Sequence, residues 1–410
     1  AGRRKGRVVS TANYRTLLRT PGAAAFFLPA AVGRVGLAMT GLGIVWLVHD
    51  RTGSYGAAGI AVGCFAVADA LGGPQVARVV DLLGQRRILP YVLAAHAASV
   101  GLLLVGGPVL DLVAATLVGV TLPQLSALSA ARWSALLRGA RNEAALPKAF
   151  ALEALANALS YLAGPALVST AGAAGRPELG TLLAAVLVVG GGLAFAVQRR
   201  TAPPVEGRDE HRTATRALLR PAFARQVAFT LALGVFFGAM QVSVTAYAVG
   251  RGTPDSAPLL YAVSNCTSLL AGWFYGLRAW RTPAGRQRAL FAAGLAAACL
   301  PLTILDAPLL LSLALALTGF AVPPLLVLSS VLAESMVPRA ALTQAFTWLN
   351  SASAAGSAGA AAVAGQAVDA AGAHGGFAVA AAATAGMAVL AAVGGREVAA
   401  QSEPAAAPER

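Results

Sequence analysis

Three ionisable side chains stand inside long apolar runs: Arg34, Asp69 and Glu153. A charge at such a position is costly, so these residues are functional candidates by default. Arg34 lies in Val32-Gly33-Arg34-Val35-Gly36, where the flanking glycines leave room for its guanidinium to turn inward. Glu153, Asn157 and Ser160 follow at i, i+4 and i+7 and share one helix face. Burial disfavours the charged form of a carboxyl, and a neighbouring arginine favours it. A carboxyl held between those influences can take up a proton on one side of a membrane and release it on the other. Glu153, Asp69 and Arg34 are therefore the proton-coupling candidates. The bland readings are an Arg34–Asp69 ion pair outside any cycle and, for Glu153, a helix-end charge near the headgroups. Gln124, Asn157, Gln241, Thr245, Asn265 and Asn350, together with Arg34, are candidates for lining a substrate cavity. Bonding of helix to helix is the alternative for each.

Nothing in the chain points to an enzyme. His49, His96, His211 and His374 are scattered. The sequence contains no His-Glu-x-x-His, no Gly-x-Ser-x-Gly and no phosphate-binding Gly-x-x-x-x-Gly-Lys. No cofactor and no metal are expected. Cys64, Cys266 and Cys299 fall in different apolar runs and read as buried thiols, not as a disulfide frame.

The elements that must hold these groups are set by composition. The chain has 410 residues, of which 57% are hydrophobic and 12% charged. A soluble domain carries about 25% charged residues. A single core cannot bury this much apolar surface, so lipid must be the solvent for most of it. The net charge is +14. In a soluble protein that would suggest nucleic acid. Here the Lys and Arg residues concentrate at the termini and in alternate loops, and only Arg51, Arg176 and Arg251 fall in the loops between. The tendency of positive charge to stay inside then places both termini in the cytoplasm and makes membrane lipid, not nucleic acid, the partner. Only Lys5 and Lys148 are lysines, and alanine is abundant. This arginine-rich usage fits a bacterial cytoplasmic membrane. The basic N-terminus runs straight into a full-length apolar run, which argues against a cleavable signal peptide.

Hydropathy and length place twelve spans, each long enough to cross the hydrocarbon. The first six are 22–48, 54–77, 87–106, 109–131, 146–170 and 178–198. The second six are 222–249, 256–277, 287–305, 308–333, 342–366 and 375–394. They divide into bundles at 21–198 and 221–394. Residues 1–20 form a basic segment on the inner leaflet (Arg3, Arg4, Lys5, Arg7, Arg15 and Arg19). A basic loop carries Arg132, Arg138, Arg141 and Lys148. Residues 199–220, including Glu206, form a hydrophilic linker, and 395–410 form a polar, disordered tail. Gly59-x-x-x-Gly63 is expected to pack closely on a neighbour. Trp46, Trp133, Trp273, Trp280 and Trp348 lie near span ends, where indoles anchor at the interface. The halves repeat: Gly119-Val-Thr-Leu-Pro123 answers Gly319-Phe-Ala-Val-Pro323, and Ala149-Phe150 answers Ala345-Phe346.

Between the second and third spans lies Ala77-Arg-Val-Val-Asp81-Leu-Leu-Gly84-Gln-Arg86-Arg87. Gly84 permits a tight turn. Arg86 and Arg87 suit an anionic leaflet, and Asp81 could meet a helix N-terminus or one of these arginines. The stretch resembles the loop 2–3 signature of the major facilitator superfamily, Gly-x-x-x-Asp-Arg-x-Gly-Arg-Arg. Ala77, Leu82 and Gln85 depart from it. The resemblance implies an all-α membrane protein of twelve transmembrane helices in two pseudo-symmetric six-helix bundles that rock around a central cavity. It makes Asp81, Gly84, Arg86 and Arg87 a conformational-switch loop. Gly164-Pro165 resembles part of a motif seen in the superfamily's drug–proton antiporters. The implied activity is proton-coupled export of a small amphipathic drug or metabolite by a monomer. Nutrient uptake, uncoupled facilitation and a non-transporting sensor or scaffold are the alternatives.

Overall fold

The computed structural model describes residues 14–137, 145–204, 208–253, 256–278, 280 and 282–402. Arg3, Arg4, Lys5, Arg7, Arg138, Arg141, Glu206 and the last part of the tail, 403–410, lie outside them. The described residues form helices joined by short turns. They are α1 (Tyr14–Leu18), α2 (Ala23–Thr52), α3 (Tyr55–Leu83), α4 (Gln85–Val105), α5 (Pro108–Val120), α6 (Leu125–Leu136), α7 (Leu146–Ala173) and α8 (Pro177–Val197). After these come α9 (Arg208–Ala217), α10 (Pro221–Gly250), α11 (Ala257–Leu277), α12 (Ala284–Cys299), α13 (Pro308–Met336) and α14 (Leu342–Ser402). Nine helices among the described residues are long and apolar enough to cross a membrane, with α5 and α6 taken as one stretch and α14 as another.

The chain punctuates its helices with the residues that backbone geometry demands. Gly84 separates α3 from α4 at φ 91°, a conformation that side chains with a Cβ rarely adopt. Proline opens α5, α8, α10, α11 and α13 near their first residue, where its missing N–H is not needed. Three expectations need correction here. The expected fourth span is broken between Val120 and Leu125, so Gln124 stands at a helix start. The linker contains a helix, α9. The last helix continues to Ser402, into the expected disordered tail. The expected last two spans are the two arms of α14, which part at Ala371–Gly372, where Gly372 has φ 66°.

Glycines let helix backbones touch. A Cβ on Gly36 of α2 would collide with the Ala184 carbonyl of α8. One on Gly33 would strike Leu125. These two glycines therefore bring in neighbouring helices instead of making room for Arg34. Gly119 of α5 faces the Phe65 carbonyl of α3, and Gly319 of α13 faces the Ser264 carbonyl of α11. The repeated sequence thus makes the same contact twice. Gly59 and Gly63, in contrast, meet nothing among the described residues, so the expected close packing is not made by them.

Helices before α9 meet helices after it at one end of the molecule. The Phe150 and Phe346 rings, which the repeat pairs in sequence, touch edge to face at 5.7 Å. Tyr14 and Leu17 of α1 are buried, while Arg15 and Arg19 are exposed. The Tyr14 hydroxyl donates to the Trp273 carbonyl at 3.1 Å and reaches the Gly272 carbonyl at 3.3 Å. Its ring lies 4.7 Å from that of Trp273. The described part of the basic segment is therefore docked in protein through alternate side chains. Trp133 is fully buried against Phe26 and Phe27 and is a core residue, not an interface anchor. Arg132, expected in a loop, is 0% exposed within α6. It donates from Nε to Gln85 Oε1 at 2.8 Å, and its guanidinium stacks 3.7 Å from the Phe195 ring centre. Lys148 is buried as well. Cys299 is buried as expected, but Cys64 is half-buried and Cys266 exposed.

Candidate functional site

The buried polar site joins three helices. Arg34 on α2 and Glu153 on α7 form an ion pair, at 2% and 6% residue exposure. Arg34 Nη2 donates to Glu153 Oε2. Ser129 on α6 donates to the other carboxylate oxygen, Oε1, at 2.6 Å. One helical turn along α7, Asn157 Oδ1 accepts from Ser126 of α6 at 3.1 Å. The spacing that put Glu153 and Asn157 on one face thus matches Ser129 and Ser126, spaced i, i+3 on the neighbour. Ser160 turns back to its own helix and donates to the Ala156 carbonyl. Glu153 is therefore neither a helix-end charge in water nor alone, and Arg34 does not pair with Asp69. Arg34 Nε and Nη1 are buried without an acceptor among the described residues. Breaking such a pair by removing one partner leaves the other charge uncompensated in an apolar site.

Asp69 has a different setting. Its Oδ1 accepts from Gln124 Nε2 at 2.8 Å. The break between α5 and α6 is what lets Gln124 reach α3. Asp69 is half-buried and takes part in no ion pair among the described residues. One turn along α3, a Cβ on Gly73 would crowd Gln124 and come within 3.3 Å of Thr347 of α14. Tyr161 of α7 is 72% exposed.

The expected switch loop lies where the two sets of helices meet. Asp81 Oδ2 accepts from the backbone N–H of Gln344, in the first turn of α14, at 3.0 Å. Of the two partners foreseen for Asp81, a helix N-terminus is thus one that it has. Arg86 and Arg87 are exposed. Gln85, where the signature has arginine, is buried and serves Arg132 instead. A small crevice beside this junction is lined by Asp81, Ala131, Ala135, Pro203, Arg339 and Thr343.

The C-terminal candidates do not all converge. Tyr261 donates to the Gln241 carbonyl and its hydroxyl lies 3.4 Å from that of Thr245, which ties α10 to α11. Gln241, Thr245, Asn265 and Asn350 are exposed. An open hollow between Leu231, Val235, Val363, Val379 and Val389 lies elsewhere and is lined by apolar side chains. Gly164 brings α7 onto Ala38 and Val35 of α2, and the helix continues through Pro165.

Sequence reasoning passed over Ser129, Gln85 and the clamp at the far end of α2. There Arg51 Nη1 donates to Asp111 Oδ1 at 2.7 Å and to the Leu103 carbonyl at 2.8 Å, while Nη2 donates to the Leu104 carbonyl at 2.7 Å. A signal was present for Ser126 and Ser129, two hydroxyls on one face of an apolar helix.

The apolar helices and their buried polar contacts define a multi-pass membrane protein. A sequence profile of the Major Facilitator Superfamily matches residues 26–310, and the chain belongs to that family of membrane transporters. No curated protein sequence matches it at a significant level. Solved structures share the fold. The human organic anion transporter MFSD10 (TETRAN) has a TM-score of 0.72 at 17% identity, covering 90% of this chain and 98% of its own. A bacterial homologue of the iron transporter ferroportin, in an outward-facing state, has 0.70 at 12%, covering 92% and 99%. The E. coli fucose:proton symporter FucP has 0.69 at 13%, covering 90% and 99%.

Proposed function

We propose that this protein is a proton-coupled exporter of a small, partly apolar molecule, working by alternating access in a bacterial cytoplasmic membrane. The observation that carries the coupling is the buried Arg34–Glu153–Ser129 cluster. Ser129 donates to one carboxylate oxygen of Glu153 and Arg34 to the other, and each oxygen keeps a lone pair that can take a proton. Protonation removes the negative charge that holds the guanidinium, and Arg34 must then find another acceptor. A buried pair with two such arrangements is a two-state element that a proton gradient can bias. A fucose:proton symporter among the structural neighbours supports the reading that coupling is compatible with a fold of this kind.

In this reading the chain crosses the membrane twelve times. Ala257–Leu277, Ala284–Thr303 and the two arms of α14 on either side of Gly372 each supply about the 20 residues a crossing needs. Residues 21–198 and 221–394 are the two bundles. The matched contacts of Gly119 and Gly319, and the meeting of Phe150 with Phe346, are what a duplication about a central axis produces. Positive charge in alternate loops puts both termini and the Asp81 junction in the cytoplasm, so the closed end is the inner one. The protein acts as a monomer. Arg34, Gln124, Asn157, Gln241, Thr245, Asn265 and Asn350 stand as candidates for lining the cavity.

The test is transport in proteoliposomes under an imposed pH gradient. Glu153→Gln keeps the shape of the side chain and removes its charge. It should abolish gradient-driven flux while substrate exchange at equal pH persists. Full gradient-driven flux in Glu153→Gln would overturn the coupling assignment. Failure of a broad compound panel to move in the wild type would overturn transport itself.

A further inference from the structure

We propose that α1 is a strap across the end where the two sets of helices meet, with Tyr14 tethering the first set to α11 of the second. The proposal rests on the alternating-access reading and adds to it a device that sets how readily that end opens. The strap is fixed at its near end to the first set. The Thr20 N–H donates to the Leu17 carbonyl at 3.0 Å and the Ala23 N–H to the Thr20 carbonyl at 2.9 Å, so a tight turn joins α1 to α2. Gly22, at φ 91°, permits that turn. α1 then packs on α7.

The far end of the strap lies on the second set. The Tyr14 hydroxyl reaches the Gly272 and Trp273 carbonyls of α11. It can do so because Gly276, one turn along α11, has no side chain. A Cβ on Gly276 would strike both the Tyr14 hydroxyl and the Ala151 side chain of α7. Tyr14 is therefore wedged where α7 meets α11, and its ring covers Trp273. The Asp81–Gln344 bond crosses a different seam, between α3 and α14. Each seam thus carries its own tie. The one at Tyr14 is built to let go. α1 has five residues, too few for a helix to persist alone. Tyr14 and Leu17 are its buried side chains, while Arg15 and Arg19 face outward. It can undock without unfolding any span, which is the behaviour of a local, low-stability unit.

Distances between two spin labels on the purified full chain in lipid nanodiscs test the strap. The labels go on Arg199→Cys at the end of α8 and Ser335→Cys at the end of α13, both exposed, in a chain whose own cysteines are replaced. Opening lengthens the distance. Tyr14→Phe should raise the ratio of long to short distances by about threefold, and Tyr14→Ala by about tenfold or more. Adding Asp81→Ala should multiply the effect, since that bond lies on the other seam. Where Tyr14→Ala does not fold, Tyr14→Phe, which keeps the ring, decides. A folded Tyr14 variant with the parent's distance distribution overturns the strap, even when its melting temperature has fallen. Long distances that respond to Asp81→Ala but not to Tyr14 substitution sink the strap and leave alternating access standing. A single distance in the parent, in Asp81→Ala and in both Tyr14 variants sinks both.

Discussion

The carboxylate of Asp81 holds the backbone N–H of Gln344, 263 residues away in sequence, at 3.0 Å. The acceptor ends α3 and the donor lies in the first turn of α14, where the helix has N–H groups without internal partners. A negative charge there also meets the favourable end of the helix dipole. The bond joins the end of α3 to the start of α14, and in the alternating-access reading it must break when that end opens.

Removing it should shift the balance between closed and open. A capping carboxylate of this kind contributes about 1–2 kcal/mol, which is a factor of about 5–30 in a population. In a chain whose own cysteines are replaced, a reporter Ala135→Cys in the adjoining crevice should be alkylated faster by about that factor when Asp81→Ala is added. Equal rates would show that this bond does not hold the end shut.

The Arg34–Glu153 pair should behave asymmetrically. Arg34→Ala leaves a buried carboxylate alone and should destabilise the protein by about 3–5 kcal/mol. Replacing both residues by methionine should recover most of the lost thermal stability, because no unpaired charge remains. It should not recover gradient-driven transport. Thermal unfolding of the single and double variants, read beside flux, separates the two contributions.

Glycine positions should divide by what they face. Gly119→Ala and Gly319→Ala push a methyl group into a neighbouring backbone carbonyl, and overpacking of this kind costs about 1–3 kcal/mol. The two substitutions should lower the melting temperature by similar amounts, since the contact is repeated. Gly59→Ala and Gly63→Ala meet nothing and should leave it unchanged or raise it slightly through helix propensity.

Tyr14 should anchor the N-terminal helix to α11. Tyr14→Phe keeps the ring on Trp273 and loses the hydroxyl's bonds to two carbonyls. A loss of about 1 kcal/mol follows for the local contact. Hydrogen exchange in α1 should speed up by roughly fivefold while the core of α2 stays protected. Faster exchange throughout the protein would mean that Tyr14 supports the whole fold and not this contact alone.

Much of the fold was legible because lipid imposes a simple rule. Every backbone group in the hydrocarbon must be satisfied within its own helix, so long apolar runs declare themselves. The family signature around Asp81 and the repeat of Gly119 in Gly319 were readable in the same way, since both are local strings. Legibility failed where a residue's role depends on a partner far along the chain. Arg132 read as a loop charge because a fully buried arginine stacked on Phe195 has no signature in its own neighbourhood. Gly59 and Gly63 had the spacing of a packing motif, and no helix came to fill it.

The order of residues alone determined that the chain is a membrane protein, which stretches lie in lipid and which few ionisable groups lie among them. Composition and periodicity are properties of single segments, and the solvent reads them one segment at a time. Only the tertiary structure decided that Arg34 takes Glu153 and not Asp69, that Ser129 completes the pair, and that Asp69 is met by the Gln124 amide. Those choices depend on helix rotation and depth, which are set by side chains packing against several neighbours at once.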